Sequence, residues 1–407
     1  MLPKSPGSYL AIQYTQAAKR FALGLGDSDP LKLTAIKKLK MKKIVALLFL
    51  SIALQAQTNY SARFDSFMQA EVSRNNFNGN VLIAKAGNII YQKSFGYSSY
   101  TTKELLNNNS VFELASVSKQ FTAVGILLLQ EKNKLKLTDS LRYYFPELPY
   151  NNITIKNLLT HTSGLPDYMA AMAGKWNHKQ IAFNDDVIQF LADEKIPVDF
   201  KPNEKCEYSN TAYEMLASII EKVSGQKFNV YMQENIFKPL GMHHSRIYNT
   251  RRSTKEIIPN YAYGFVYSDS LKKYILPDSS PDYDYVIYLD GIVGDGVVNS
   301  TTGDLLLWDR ALKNHSLLSE KMQAEMFSPQ SLIDPVTKTY YGYGEFLGKN
   351  EFGKYIAHSG SWPGYRNNLV RYIEEDLTII ILSNNESDAK KISTALTDIY
   401  LGNKQKQ

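Results

Sequence analysis

The sequence predicts an α+β (α/β) fold in which one antiparallel sheet is built from both ends of the chain and flanked by helices. β-Rich runs lie near the start of the predicted folded region and again in the last hundred residues, with mainly helical periodicity inserted between them. The 407-residue chain is 44% hydrophobic and 21% charged, which is typical of a globular protein with one large domain or two smaller ones. Its single cysteine, Cys206, excludes an intrachain disulfide.

Hydrophobic spacing predicts the elements in chain order, because apolar residues three or four apart favour helices and continuous apolar runs between turn residues favour strands. We predict a helix at residues 60–75, a hairpin with strands at 81–84 and 89–91, and helices at 121–130, 153–159, 187–191 and 212–223. A tyrosine-rich excursion with a hairpin follows at 250–290. Strands are predicted at 341–347, 354–357, 368–373 and 377–382, and a closing helix at 388–401.

The first 56 residues differ in composition from the rest. They carry the excess of basic residues behind the formal charge of +6, and the remainder is near neutral. Within them, Met41-Lys42-Lys43 precedes an apolar run at 44–54 and the small residue Ala56, which is the layout of a signal peptide. As a helix that run would span about 17 Å, too short for a stable membrane span of about 30 Å.

We therefore expect an upstream extension at residues 1–40, a signal peptide at 41–56, and a bacterial protein exported to the periplasm or medium. The alternative is a basic tail followed by a buried apolar helix.

Nucleic acid is not expected as a partner, since no cluster of uncompensated Lys or Arg follows Lys43. The histidines lack metal-ligand spacing, so neither a metal nor another cofactor is predicted.

The first motif that carries chemistry is Ser116-x-x-Lys119. Four Ser-x-x-Lys matches occur in the sequence, beginning at Ser116, Ser224, Ser270 and Ser387. Only Ser116 has an apolar extended run before it and a long apolar helix after it. If a helix starts at Ser116, the two side chains share one face, free backbone N–H groups lie nearby, and burial lowers the pKa of the amine so that it can act as a base.

Two further motifs follow. Tyr208-Ser209-Asn210 lies between a predicted turn at 201–204 and the helix at 212–223, whereas Tyr-x-Asn matches at Tyr150 and Tyr365 lack that context. His358-Ser359-Gly360-Ser361 lies on a predicted strand, and it contains the only His-x-Gly in the sequence.

In this order, Ser116-x-x-Lys119, Tyr208-x-Asn210 and His358-x-Gly360 resemble the motifs of the serine β-lactamase-like hydrolases, which include class C β-lactamases, D-alanyl-D-alanine carboxypeptidases and family VIII esterases. Segments at 158–165, 239–242 and 294–301 also resemble that family. The resemblance runs from about Phe64 to Leu401. It implies a β-lactamase/transpeptidase-like catalytic domain at 57–402, with a sheet subdomain at about 60–112 and 295–402 and a helical subdomain at about 113–294.

The resemblance also implies a role for each motif residue. Ser116 would be the acylated nucleophile, Lys119 and Tyr208 would share its proton with Tyr208 as the base during acylation, and Asn210 would bind Lys119 or the substrate amide. His358 and Gly360 would line the substrate site, with His358 facing the substrate carboxylate and the tyrosine oxygen. Backbone N–H groups of Ser116 and Ser361 would form the oxyanion hole. Because β-lactamases of this group keep a lysine at the position of His358, strong β-lactamase activity is not expected.

The sequence thus predicts an exported serine hydrolase that forms an acyl-enzyme on a small amide or ester, with D-amino-acid cell-wall peptides and β-lactams among the candidates. Two alternatives stay open: an esterase without β-lactam recognition, and a penicillin-binding sensor module that does not turn over. His161 is expected to be structural, in a loop closing one side of the site, and Cys206 to be a small buried residue.

Overall fold

Two segments that lie far apart in the sequence form the central sheet. The computed structural model describes residues 60–248, 250, 252 and 258–402, and the predicted upstream extension and signal peptide lie outside them. A helix at residues 60–73 (α1) leads into a hairpin of β1 (Gly79–Lys85) and β2 (Asn88–Phe95). The C-terminal part of the chain supplies the other strands of the sheet.

The remaining elements are as follows in chain order. The first half contains β3 (Tyr97–Ser99), β4 (Glu104–Leu105), β5 (Phe112–Glu113), α2 (Lys119–Glu131), α3 (Leu141–Tyr144), α4 (Ile155–Leu159), α5 (Tyr168–Ala173), α6 (Asn184–Glu194), α7 (Asn210–Ser224) and α8 (Phe228–Met232). The second half contains β6 (Arg246–Ile247), β7 (Val266–Ser268), β8 (Lys273–Ile275), α9 (Tyr285–Tyr288), β9 (Val298–Ser300), α10 (Thr302–Lys313), α11 (Glu320–Met326), β10 (Ser331–Asp334), β11 (Thr339–Tyr341), β12 (Phe346–Asn350), β13 (Gly353–Trp362), β14 (Tyr365–Tyr372), β15 (Leu377–Ser383) and α12 (Ala389–Thr397).

The eight-stranded sheet has the order β10-β11-β12-β13-β14-β15-β1-β2, and all of its strand pairs are antiparallel. The N-terminal hairpin joins it through β1, which pairs with β15 from Gly79 opposite Ser383 to Lys85 opposite Leu377. β15 is buried along its whole length, as expected for a strand covered on both faces. This confirms the predicted α+β class and the antiparallel sheet built from both ends of the chain.

The helical middle is organised around α2 and α7, which pack against each other. α2 is buried at nearly every position, so it forms a core helix rather than an amphipathic surface helix. The Ser209 hydroxyl caps α7 by accepting the backbone N–H of Ala212, and Gly225 ends the helix with a φ of 72°. The Ser209 cap fixes where α7 begins, two residues after Tyr208.

Two details of the predicted elements were wrong. The helix predicted at 121–130 begins earlier, at Lys119, and Ser116, which was considered as a helix start, lies within a 3-10 turn at Ala115–Ser118 that continues into α2. The strand predicted at 341–347 is interrupted between β11 and β12, because Gly342 to Glu345 form a turn in which the N–H of Gly342 donates to the carbonyl of Glu345. Gly344 has a φ of 83°, which favours glycine, and it lies against the start of α2.

Within the described residues, no helix combines the length and the apolar character needed to cross a lipid bilayer.

Trp308 of α10 supports α2 from behind, and we expect it to carry much of the stability of this region. Its ring is fully buried, its centroid lies 4.2 Å from that of Phe121, and its indole N–H donates to Oε1 of Gln120 at 2.6 Å. Trp308→Ala should therefore lower the free energy of unfolding by about 3–5 kcal/mol through cavity formation. Denaturant unfolding followed by circular dichroism measures this change.

The neighbouring residue Leu307 provides the control, because it is 43% exposed on the same helix. Leu307→Ala should change the unfolding free energy by only about 0.5 kcal/mol. Equal effects of the two substitutions would contradict the assignment of Trp308 to the core.

Candidate active site

Ser116 lies on the tight turn that joins β5 to α2. Ala115, directly before it, has a φ of 49°, a conformation that few non-glycine residues adopt. Its backbone neighbours fix this turn: the N–H of Leu114 donates to the carbonyl of Val298, and the N–H of Val298 donates to the hydroxyl of Ser118. Ser116 thereby lines a cleft.

Lys119 is fully buried and makes three hydrogen bonds through its amine. Nζ donates to Oγ of Ser116 at 3.1 Å, to Oδ1 of Asn210 at 2.9 Å and to the backbone carbonyl of Asp295 at 2.7 Å. Burial lowers its pKa to about 8, partly offset by the carboxylates of Asp295 and Asp167. A lysine is therefore held beside the serine with a pKa close to neutral pH.

Tyr208 and Asn210 reach the site from the N-terminal end of α7. The Tyr208 ring centroid lies 4.9 Å from Nζ of Lys119, and the residue is 36% exposed. Although part of the residue is exposed, desolvation of the phenol raises the pKa of Tyr208 above its usual value, and an interaction with Ser116 lowers it in part. The Tyr208 hydroxyl is thus protonated at neutral pH.

Gly360 allows strand β13 to approach the Ser116 turn. A Cβ atom at this position would lie 2.0 Å from the carbonyl oxygen of Leu114 and 3.3 Å from Cβ of Ala115. Only a residue without a side chain fits that contact. As a result Ser361, the next residue on β13, lines the same cleft as Ser116.

His358 lies on β13, two residues before Gly360, and its side chain is buried. Both of its ring nitrogens form hydrogen bonds within the protein. Nε2 accepts from the hydroxyl of Tyr341 at 3.0 Å, and Nδ1 donates to the carbonyl of Ser359 at 2.7 Å. Burial and the charge of Lys119 lower the pKa of His358 to about 3, so the imidazole is neutral. A substrate carboxylate could reach this ring only by displacing one of the two partners.

Comparison with known proteins identifies the family of this chain. Residues 64–401 match the model of a family described as Beta-lactamase. The chain belongs to the beta-lactamase family. This confirms the predicted β-lactamase/transpeptidase-like fold and identifies the chain as a serine hydrolase.

Relatives in this family cover most of the chain. Penicillin-binding protein 4* of Bacillus subtilis (strain 168) is 46% identical over 318 residues, which are 78% of this chain and 70% of that protein. A solved penicillin binding protein from Bacillus halodurans superimposes with a TM-score of 0.72 at 25% identity, covering 83% of this chain and 99% of that one. D-amino acid amidase from Ochrobactrum anthropi SV3 gives a TM-score of 0.69 at 22% identity, covering 86% and 99%, which shows a shared fold.

Asp295 and Tyr168 belong to this β-lactamase-family site but were missed by the sequence reasoning. The Asp295 backbone carbonyl holds Lys119, and its carboxylate accepts from the hydroxyl of Tyr168 at 3.0 Å. Burial raises the pKa of the Asp295 carboxyl, and the charge of Lys119 opposes that rise. The sequence offered one indication of Asp295: the segment at 294–301 resembles the family, but that resemblance assigned no role to any of its side chains.

His161 and Cys206 lie near Tyr208. His161 is fully buried behind the Tyr208 ring, with a centroid separation of 4.4 Å. The thiol of Cys206 is half-buried, contacts the hydroxyl of Ser331 at 3.4 Å, and has its pKa raised by burial. Among the described residues, no group of three His, Cys, Asp or Glu side chains could hold a metal ion.

Gly360→Ala should push β13 away from the Ser116 turn, because the added methyl group meets the Leu114 carbonyl. We expect the free energy of unfolding to fall by about 1–3 kcal/mol, as for other overpacked positions. Thermal unfolding of the purified variant measures the loss.

Gly174→Ala is the matched control, since a Cβ there would have no neighbour within 4 Å and the backbone φ of −98° suits any residue. A Gly360→Ala variant as stable as Gly174→Ala would refute the close approach of β13 to the turn.

Proposed function

We propose that this serine hydrolase cleaves small amides or esters through an acyl-enzyme formed on Ser116. The observation that carries the proposal is the buried amine of Lys119, 3.1 Å from the Ser116 hydroxyl and with a pKa lowered to about 8. A nucleophilic serine needs a neighbouring base with a pKa near the working pH. Lys119 meets both requirements.

The partners of Lys119 orient it as a base. Oδ1 of Asn210 and the carbonyl of Asp295 can only accept hydrogen bonds, so a neutral amine directs its two N–H groups to them. Its lone pair is then left for the third partner, the hydroxyl of Ser116. We propose that deprotonated Lys119 takes the Ser116 proton as Oγ attacks the substrate carbonyl.

Tyr208 takes the complementary role in this proposal. Lys119 already lies beside the Ser116 hydroxyl with a pKa lowered to about 8, so a tyrosinate base is not needed during acylation, and this reverses the division of roles that the family resemblance implied. We propose instead that neutral Tyr208 passes the proton from the Lys119 ammonium to the leaving group. In deacylation, neutral Lys119 removes a proton from water while the water oxygen attacks the ester carbonyl, and the Lys119 ammonium then gives that proton to Oγ of Ser116 as the bond from the acyl carbon to Oγ breaks.

The oxyanion of each tetrahedral intermediate would be held by the backbone N–H groups of Ser116 and Ser361, two residues that line the same cleft.

His358 is neutral and hydrogen-bonded within the protein, which supports a substrate that does not need a carboxylate for binding. Small amides and esters are therefore the proposed class, and D-amino-acid peptides of the cell wall are the favoured members because relatives are named as penicillin-binding proteins and as D-amino acid amidase.

We also propose export of the chain. The layout of residues 41–56 supports a signal peptide, and residues 1–40 would then be an upstream extension outside the fold. The catalytic domain would be residues 57–402, with the sheet subdomain and the helical subdomain divided near residues 113 and 294. The relation to penicillin-binding proteins supports an extracytoplasmic role.

Ser116→Ala should abolish turnover of p-nitrophenyl acetate, with a decrease in kcat of at least about 10³-fold, because the acylated oxygen is lost. Intact-mass spectrometry of the exported protein after exposure to a β-lactam should reveal an adduct on the wild type and none on Ser116→Ala. The same spectrum tests whether the mature chain begins near residue 57.

Ser270→Ala provides the matched control, because Ser270 begins another Ser-x-x-Lys match but lies outside the cleft. Full ester hydrolysis by Ser116→Ala would rule out the proposed nucleophile. Ester turnover without any β-lactam adduct would identify an esterase that lacks β-lactam recognition, and a permanent adduct without turnover of any ester or amide would identify a sensor module.

The pKa of Lys119 makes the reaction dependent on pH. Since the neutral amine is the base and its pKa is lowered to about 8, kcat/KM should rise about tenfold per pH unit up to pH 8 and then level off. Lys119→Arg should remove activity at every pH, because a guanidinium does not deprotonate in proteins.

Exposed Lys134 lies beyond the end of the same helix, and Lys134→Arg should keep the wild-type profile. Measuring ester hydrolysis from pH 5 to 10 tests this account. A flat profile in the wild type, or an active Lys119→Arg enzyme, would be incompatible with Lys119 as the base.

A further inference from the structure

His161 touches the segment that carries Tyr208 and Asn210 but has no part in the reaction proposed above. It lies in the loop between α4 and α5, fully buried, with a φ of 57°. We propose that His161 is a positioning residue that holds Tyr208 and Asn210 in place against Lys119. This inference rests on the proposed function of those residues.

Two hydrogen bonds connect His161 to the backbone on either side of Tyr208. The N–H of Glu207 donates to the backbone carbonyl of His161 at 2.9 Å, and the N–H of Ser209 donates to its Nδ1 at 3.1 Å. One residue thus binds the chain both before and after Tyr208. Ser209 is also the cap of α7, so the same bond fixes where that helix starts and where Asn210 points.

The ring of His161 also fills the space behind Tyr208. Its centroid lies 4.4 Å from those of Tyr208 and Tyr341 and 5.1 Å from that of Tyr213. The Tyr341 hydroxyl is bonded in turn to His358. Aromatic rings therefore pack around Tyr208, and the ring of His161 has its centroid closest to that of Tyr208.

The hydrogen bond from Ser209 fixes the state of the imidazole. Nδ1 accepts a hydrogen bond, so the ring proton is on Nε2 and the ring is neutral. Within the described part of the chain, Nε2 is buried without a hydrogen-bond partner. Burial and the nearby charge of Lys119 lower the pKa of His161 well below its usual value, which keeps Nδ1 available as an acceptor.

The backbone conformation explains why histidine suits this position. A φ of 57° turns the His161 carbonyl towards Glu207, and Asn, Asp and His are the non-glycine residues enriched in that region. Asparagine can keep both the backbone conformation and an acceptor close to the position of Nδ1. Phenylalanine keeps a ring of similar shape but has no acceptor.

These two substitutions separate positioning from packing. His161→Phe should lower kcat for p-nitrophenyl acetate by about 10²-fold with little change in KM, because a small displacement of catalytic groups is costly. His161→Asn should restore kcat to within about fivefold of the wild type even though it removes the ring. If the ring only fills space, His161→Phe will be the more active variant and the proposal is overturned.

Crystal structures of both variants supply a readout that does not require turnover. We expect residues 207–210 to shift in His161→Phe and to keep their wild-type positions in His161→Asn. An unshifted segment in His161→Phe would overturn the positioning role whatever the activity. Failure of the wild type to hydrolyse any ester or amide would instead refute the proposed function, and the two failures are thereby distinguished.

Discussion

The structure of the site depends on one constraint, the burial of an amine. An amine without exposure to water needs a hydrogen-bond acceptor for each hydrogen, and the three acceptors of Lys119 come from separate parts of the chain. The turn before α2 supplies Ser116, the start of α7 supplies Asn210, and the segment before β9 supplies the carbonyl of Asp295. Satisfying this one group therefore aligns the sheet region with the helical region.

The fold meets that constraint through short, well-fixed elements. β5 and β9 pair with each other, and β5 ends shortly before the Ser116 turn while β9 begins three residues after Asp295, so Ser116 and the carbonyl that binds Lys119 lie close together. Gly360 brings β13 against the same turn, and Trp308 supports α2 from the opposite side. These contacts hold the Ser116 turn from several sides, and the proposed reaction requires such a preorganised arrangement. The strained backbone at Ala115 is consistent with such overdetermination.

Much of this organisation was predictable from the sequence. The contacts that were not predicted depend either on backbone groups or on packing between distant parts of the chain. Apolar periodicity and turn residues predicted the α+β fold, and the spacing of Ser116 and Lys119 predicted that they share one face. The contribution of Asp295 to Lys119 is made by a backbone carbonyl, which no residue type encodes. Long-range packing determines that His358 is buried and hydrogen-bonded within the protein. It also determines that His161 accepts hydrogen bonds from Glu207 and Ser209. The chemical roles assigned to these residues stay predictions until the variants are measured.

The charges around the cleft bear on how the proposed reaction is stabilised. Arg252 lines the cleft, but its guanidinium is bound by the carboxylates of Asp278 and Asp290. His358 is neutral, and Lys119 has to lose its charge before it can act as a base. The developing oxyanion in this mechanism is therefore stabilised by fixed backbone N–H groups, together with the Lys119 ammonium that forms when the amine takes the Ser116 proton. Such dipoles act on the reacting carbonyl itself, whatever group the substrate carries further away, so they suit neutral amides and esters as well as anionic substrates.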